Sequence, residues 1–236
     1  MESVLPVYNE FLALEQKTLN LLYNYVSLRA SLSHLAGLVQ QCQHWQDKSQ
    51  FQFMLYWNVV YNCKDCRLFL GEIINNQEPR NKSSKISDMS YYMCIVDGTD
   101  KPKKVLRKFH FDYVTGRAGQ RERHPRFHLQ YCGGLPLAMK NLGITDELME
   151  LLEPHVDGPR IFFTPMTLGL LMNMAFYEFP CDATEEIRKR GDWQNLVREN
   201  EKRILIPFYQ KCVHFAGNED FVFFDEVYVG PKASTS

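Results

Sequence analysis

Two histidines, an aspartate and an arginine lie close together on two segments that alternate like β-strands. At a period of two, His110 and Asp112 share one side of the segment 105–114, and His128 takes the matching side of 127–132. Imidazoles titrate near neutral pH, so a facing pair can act as general base and general acid on a phosphodiester. Asp112 would fix a histidine tautomer and Arg126 would supply the cation for the transition state. We therefore predict a catalytic set of His110, His128, Arg126 and Asp112.

The same residue types allow two other interpretations, and the sequence leaves all three open. Two histidines and a carboxylate, with His124 as a third imidazole, are also a ligand set for zinc or non-haem iron. Alternatively, His110 and His128 are neighbours on a solvated strand face with no chemical role. The catalytic interpretation requires no metal and no cofactor, and it is the one we carry forward.

Positive charge is concentrated around these histidines. Residues 101–128 contain nine Lys or Arg and two acidic residues, a net charge of +7, whereas the rest of the chain carries −8. Closely spaced cations attract polyanions and release their counterions, which indicates RNA or DNA as a partner. A charged loop that keeps a sheet edge soluble is the alternative. The predicted nucleic-acid-binding residues are Lys108, Arg117, Arg121, Arg123 and His124.

The surrounding pattern predicts a single α+β domain. Apolar residues at three- and four-residue steps predict helices over 5–75 with a bend at 27–33, although QFQFMLYW from residue 50 also fits the start of a strand. A mobile loop over 75–90, an antiparallel sheet over 91–133, helices over 135–215 and a terminal strand over 220–230 follow. Within 135–215, Thr164-Pro165 predicts a helix start and Pro207 a kink.

Register on the sheet follows from its apolar residues. Val105, Arg107, Phe109, Phe111 and Tyr113 are predicted to share one face, with the histidines on the other. Five aromatic and aliphatic side chains should then be buried against helices: Phe109, Phe111, Phe127, Leu129 and Tyr131.

Composition favours a cytoplasmic protein that does not enter membranes. The N-terminus has acidic residues where a signal peptide needs basic ones, and seven scattered cysteines fit a reducing compartment. The apolar window 161–179 contains Thr164, Asn173 and Glu178, which predicts a core helix instead of a membrane span.

The block HFDY, a basic loop and HPRFHLQYCGG resembles a strand–loop–strand unit in small bacterial proteins found beside toxin–antitoxin and phage-defence genes. It covers residues 107–134. The resemblance implies a bacterial cytosolic protein of a defence or stress locus, acting on RNA or DNA. The competing class is a non-catalytic antitoxin-like or scaffold subunit with a protein partner from the same locus. The sequence contains no P-loop, GxSxG, HExxH or dinucleotide fingerprint.

Overall fold

An antiparallel sheet with helices from both ends of the chain gives the protein an α+β fold. The computed structural model describes residues 5, 8–47, 50–76, 86–98, 104–114, 124–131, 135, 137–145, 161–217 and 228–229. The described helices are α1 (Tyr8–Asn24), α2 (Val26–Ser31), α3 (Leu35–Gln41), α4 (Leu137–Asn141), α5 (Leu168–Glu178), α6 (Asp182–Lys189), α7 (Gly191–Asn200) and α8 (Ile206–Ala216). The described strands are β1 (Gln50–Tyr61), β2 (Lys64–Asn76), β3 (Ile86–Asp97), β4 (Val105–Val114), β5 (His124–Pro125), β6 (Phe127–Gln130), β7 (Ile161–Phe162) and β8 (Tyr228–Val229).

The main sheet is an antiparallel meander with the strand order β1-β2-β3-β4-β6-β7, and β5 pairs separately with β8. The β1–β2 hairpin turns at Asn62 and Cys63, which both have positive φ as a two-residue hairpin turn requires. The helices predicted over 50–75 are therefore wrong, and the alternation of QFQFMLYW was the correct signal. The predicted loop over 75–90 is also wrong at both of its ends, because 75–76 belong to β2 and 86–90 to β3, whereas 77–85 lies outside the described residues.

β2 is buried on both of its faces, which explains why its sequence was predicted to form a helix. Leu68, Phe69, Leu70 and Glu72 are all fully buried, so the strand lacks the polar alternation of a half-exposed sheet. One face, which we call the helical face, carries Leu68, Leu70 and Glu72 and packs within a cluster of buried residues that extends from Leu5 to Phe208.

The opposite face, which we call the histidine face, carries His110, Asp112 and His128 and is partly covered as well. Its smaller apolar cluster is completed by three residues from α4 and its flanks. The members of this cluster are Phe69, Tyr92, Cys94, Val96, Val105, Leu135, Met139 and Ile144. The alternative in which the two histidines lie on a solvated strand face therefore does not fit His128, which is buried.

A register shift changes the predicted faces at one end of β4. Ile95 pairs with Arg107 but Val96 pairs with Val105, so Leu106 is an extra residue in β4. Val105 consequently packs in the cluster of the histidine face, instead of joining Arg107 on the helical face as predicted.

Gly71 is fixed by a close approach of the neighbouring strand. A Cβ at this position would lie 2.2 Å from the ring of Tyr92 and 2.5 Å from the carbonyl oxygen of Phe53. The absence of a side chain lets the Tyr92 ring lie across β2 on the histidine face.

The C-terminal helices begin and divide for identifiable reasons. The start of α5 is capped by Thr167, whose side chain accepts a hydrogen bond from the Leu170 amide, so the predicted start at Thr164 is three residues early. A π-helical turn, Glu201–Leu205, separates α7 from α8 and ends two residues before Pro207. Because proline has no amide hydrogen and its ring clashes with the preceding turn, this wider turn accommodates it.

Most of the predicted C-terminal strand, and residues 146–160 of the predicted helical half, lie outside the described residues. Tyr228 and Val229 pair with β5. No described helix combines the length and apolar character needed to span a membrane.

Candidate functional site

The centre of the histidine face is a contact between Asp112 on β4 and His128 on β6. These residues are direct partners in the β4–β6 register, and His128 Nε2 lies 3.5 Å from Asp112 Oδ2. His110 is opposite Gln130, which puts it diagonal to His128 on the same face. The structure thus brings together three of the four predicted catalytic side chains, with the carboxylate next to both imidazoles.

The surroundings of Asp112 favour its charged form. Burial acts to raise the pKa of this carboxyl, but hydrogen bonds from His128 and Ser90 and the charges of His110 and His128 together hold it below its ordinary value. An ionised Asp112 can keep the proton of His128 on the nitrogen that faces it. The other nitrogen of the neutral ring then carries the lone pair.

Burial separates the predicted site residues into two groups. His128 is 4% exposed and Lys108 is 3% exposed, whereas His110, Asp112 and Gln130 are half-buried at the surface. Lys108 is paired in register with the buried Cys94, so its predicted place on an exposed cationic surface does not match its burial.

Arg126 is half-buried between β5 and β6, and its backbone oxygen accepts a hydrogen bond from the Val114 amide at 2.9 Å. The backbone of His124 pairs with Val229 in β5–β8. The remaining predicted binding residues lie outside the described residues; they are Arg117, Arg121 and Arg123.

Within the described ranges, no group of three or more His, Cys, Asp or Glu side chains is arranged to hold a metal ion. His128 and Asp112 supply one imidazole and one carboxylate in contact. The described geometry gives the metal interpretation no support beyond these two ligands.

Two β3 residues complete the site and were missed from the sequence. Ser90 lies opposite Asp112 and hydrogen-bonds to it, and Tyr92 lies opposite His110 with the two rings 6.4 Å apart. Ser90 fell in the segment predicted as a loop. Extending the alternation of β3 back to Ile86 would have placed it beside Asp112.

A buried acidic pair on the helical face was missed as well. Tyr91 donates to Glu15 Oε1 at 3.0 Å, and the Leu168 amide donates to both oxygens of Glu15. Glu72 is fully buried, and Tyr91 lies beside both carboxyl groups. Burial raises the pKa of Glu15 to about 8, and burial together with the charge of Glu15 raises that of Glu72.

Comparisons with protein-family models, with curated proteins and with solved structures gave no match. The functional argument therefore depends on the residues and geometry of this chain.

Proposed function

We propose that this chain binds RNA or single-stranded DNA through its basic hairpin, residues 101–128, and engages the phosphodiester backbone at the histidine face. The observation that carries the proposal is the β4–β6 register, which sets Asp112 beside His128 with His110 diagonal to it. These groups lie within the segment that holds the +7 local charge. A polyanion attracted to that charge would meet imidazoles able to donate or accept protons.

The finer proposal is metal-independent cleavage of RNA. One imidazole removes the proton from an attacking 2′-hydroxyl, the other protonates the leaving oxygen, and Arg126 stabilises the charge on the phosphate. Asp112 acts through His128 as a positioning residue. The resemblance of residues 107–134 supports placing this activity in a bacterial defence or toxin–antitoxin system.

A second candidate function is that of a non-catalytic interaction subunit with a protein partner. The burial of His128 and Lys108 favours it, because a side chain that is at least 96% covered reaches a substrate poorly. In that case the Asp112–His128 contact stabilises the sheet, and the basic segment binds nucleic acid or an acidic protein without cleaving it.

Single substitutions of the two histidines distinguish these functions. His110→Ala and His128→Gln should each reduce RNA cleavage by about 10²- to 10⁴-fold while RNA affinity and the melting temperature stay close to wild type. His44→Ala, at an exposed histidine in the N-terminal half, is the matched control. Cleavage should persist with a chelator present.

Binding without cleavage by the wild-type protein would support the interaction subunit. Cleavage that requires added zinc or manganese would assign the same residues to a metal site. If the purified chain neither binds nor cleaves RNA or single-stranded DNA, the proposed function is wrong.

A further inference from the structure

The helical face contains a cavity on the other side of the sheet from the histidine face. It has a volume of about 570 Å³ and lies between the strands β3 and β4 and the C-terminal end of α5. Ligand sites commonly have volumes of roughly 300 to 1,000 Å³. Most of its lining is apolar and includes Met93, Ile95, Phe109, Phe163, Met174 and Phe179.

This cavity explains an incorrect prediction about the sheet. Phe109 and Leu129 were expected to be buried by helices, yet both are only half-buried and both line the cavity. Phe111 in the same strand is 5% exposed. The helices therefore cover one part of this face and leave an apolar space over another.

The positively charged side chain of Arg107 lines the cavity and is hydrogen-bonded to a neighbouring residue. Arg107 Nε donates a hydrogen bond to the hydroxyl of Tyr61 at 3.0 Å, and both residues line the cavity. Tyr61 is the one hydrogen-bond partner of Arg107 within the described part of the chain. A guanidinium has five N–H donors, so four are left to bind the head group of a ligand.

The negatively charged side chain of Glu178 also lines the cavity, and it restricts the charge of the head group that can bind there. Glu178, the last residue of α5, is exposed and lines the cavity together with Arg107. Its negative charge opposes a second charge on an anionic ligand and so disfavours dianions such as phosphate monoesters. A carboxylate carries the single charge that one guanidinium can neutralise in a bidentate pair.

We propose that this cavity binds a monoanionic amphiphile, a carboxylate with an aliphatic or aromatic body, whose head group pairs with Arg107. The apolar body fills the space over Phe109 and Met174. The site lies on the opposite face of β4 from His110, although Arg107 also contributes to the +7 charge of residues 101–128.

Titration of the full chain with decanoate tests the proposal, with decanol, decylamine and decyl phosphate as probes that vary only the head group. We expect saturable 1:1 binding in which decanoate is preferred to all three. Arg107→Gln should weaken the binding of decanoate by about tenfold or more. It should change the affinity for decanol by less than about twofold. Arg198→Gln, at an exposed arginine on α7, is the matched control and should change neither affinity.

Filling the cavity provides a second, independent test. Met174→Trp should abolish binding of both decanoate and decanol, whereas Met174→Leu, which keeps the volume, should retain it. Melting curves that match the wild type would show that both variants fold.

Absence of saturable decanoate binding would overturn the proposal. Equal affinities for decanoate and decanol, tighter binding of decylamine or decyl phosphate, or an Arg107→Gln variant that binds decanoate normally would also overturn it.

Discussion

Asp112 has His128 opposite it on β6 and Ser90 opposite it on β3. The alternation of 105–114 and 127–132 was sufficient to predict that His110, Asp112 and His128 share a face. The sequence could not give the partial cover of that face, because its apolar cluster is completed by Leu135, Met139 and Ile144 from later in the chain. Residue identities therefore predicted the neighbours of Asp112 but not their access to solvent.

Glu72 is a residue that sequence patterns gave no reason to single out. It is fully buried beside Glu15, with Tyr91 and Tyr8 as its other ionisable neighbours. A buried carboxylate loses its hydration, so the neutral form is favoured and the pKa rises. The repulsion between the two carboxylates adds to that effect.

This environment predicts a loss of stability as the pH rises. Because the pKa of Glu15 is about 8 in the folded protein and that of Glu72 is also raised, both groups bind more protons when folded than when unfolded. Their contribution is complete below the unfolded pKa of about 4.3 and is lost as the pH rises through the folded values. Each group changes the free energy of unfolding by about 1.4 kcal/mol per pH unit in that range.

We expect Glu72→Gln to flatten this dependence. Urea unfolding should show the variant to be more stable than wild type at pH 8 and closely similar at pH 4. Glu186→Gln removes an exposed carboxylate and is the matched control. A wild-type protein whose stability increases between pH 5 and pH 8, in parallel with the variant, would contradict the description of this pair.

At the scale of elements, the strands with one polar face were easier to predict from the sequence than the strands that are buried on both faces. The bounds of β4, Val105–Val114, match the predicted segment, because polar and apolar residues alternate along it. β2 is covered on both faces, and its central segment is apolar at successive positions except for Glu72, so periodicity cannot distinguish it from a buried helix. The register shift at Leu106 has no sequence signal that we can identify.

The buried aromatic residues of β4 and β6 support a prediction about stability. Phe111 is 5% exposed, and its ring lies 5.3 Å from that of Phe163. Phe111→Ala should reduce the free energy of unfolding by about 3 to 5 kcal/mol, because it removes a packed ring and leaves a cavity.

Tyr131 offers a comparison within the same sheet. It was predicted to be buried but is 47% exposed, next to the ring of Phe109. Tyr131→Ala should therefore reduce the free energy of unfolding clearly less than Phe111→Ala does. Urea titration of both variants measures the two changes. Equal costs would mean that the packing of these strands differs from that described above.

At the scale of the whole molecule, charge is distributed unevenly along a nearly neutral chain. The formal net charge is −1, yet residues 101–128 carry +7. This segment includes β4, the first residues of β6, and Arg117, Arg121 and Arg123 between them in the sequence. The distribution is visible in the sequence alone, whereas the cavity over Phe109 depends on how α5 and the sheet meet.

Nucleic-acid binding by that segment is the central claim, and the salt dependence of RNA affinity tests it most directly. The full chain should bind a short single-stranded RNA with an affinity that falls steeply between about 50 and 200 mM salt. Replacing Arg117, Arg121 and Arg123 together with Gln should weaken binding and reduce the slope of log affinity against log salt by about 2, since each lost contact contributes about 0.7. The same change at the exposed residues Arg29, Arg198 and Arg203 should leave that slope unaltered. Affinity that is absent at low salt, or equal in the two triple variants, would contradict the claim.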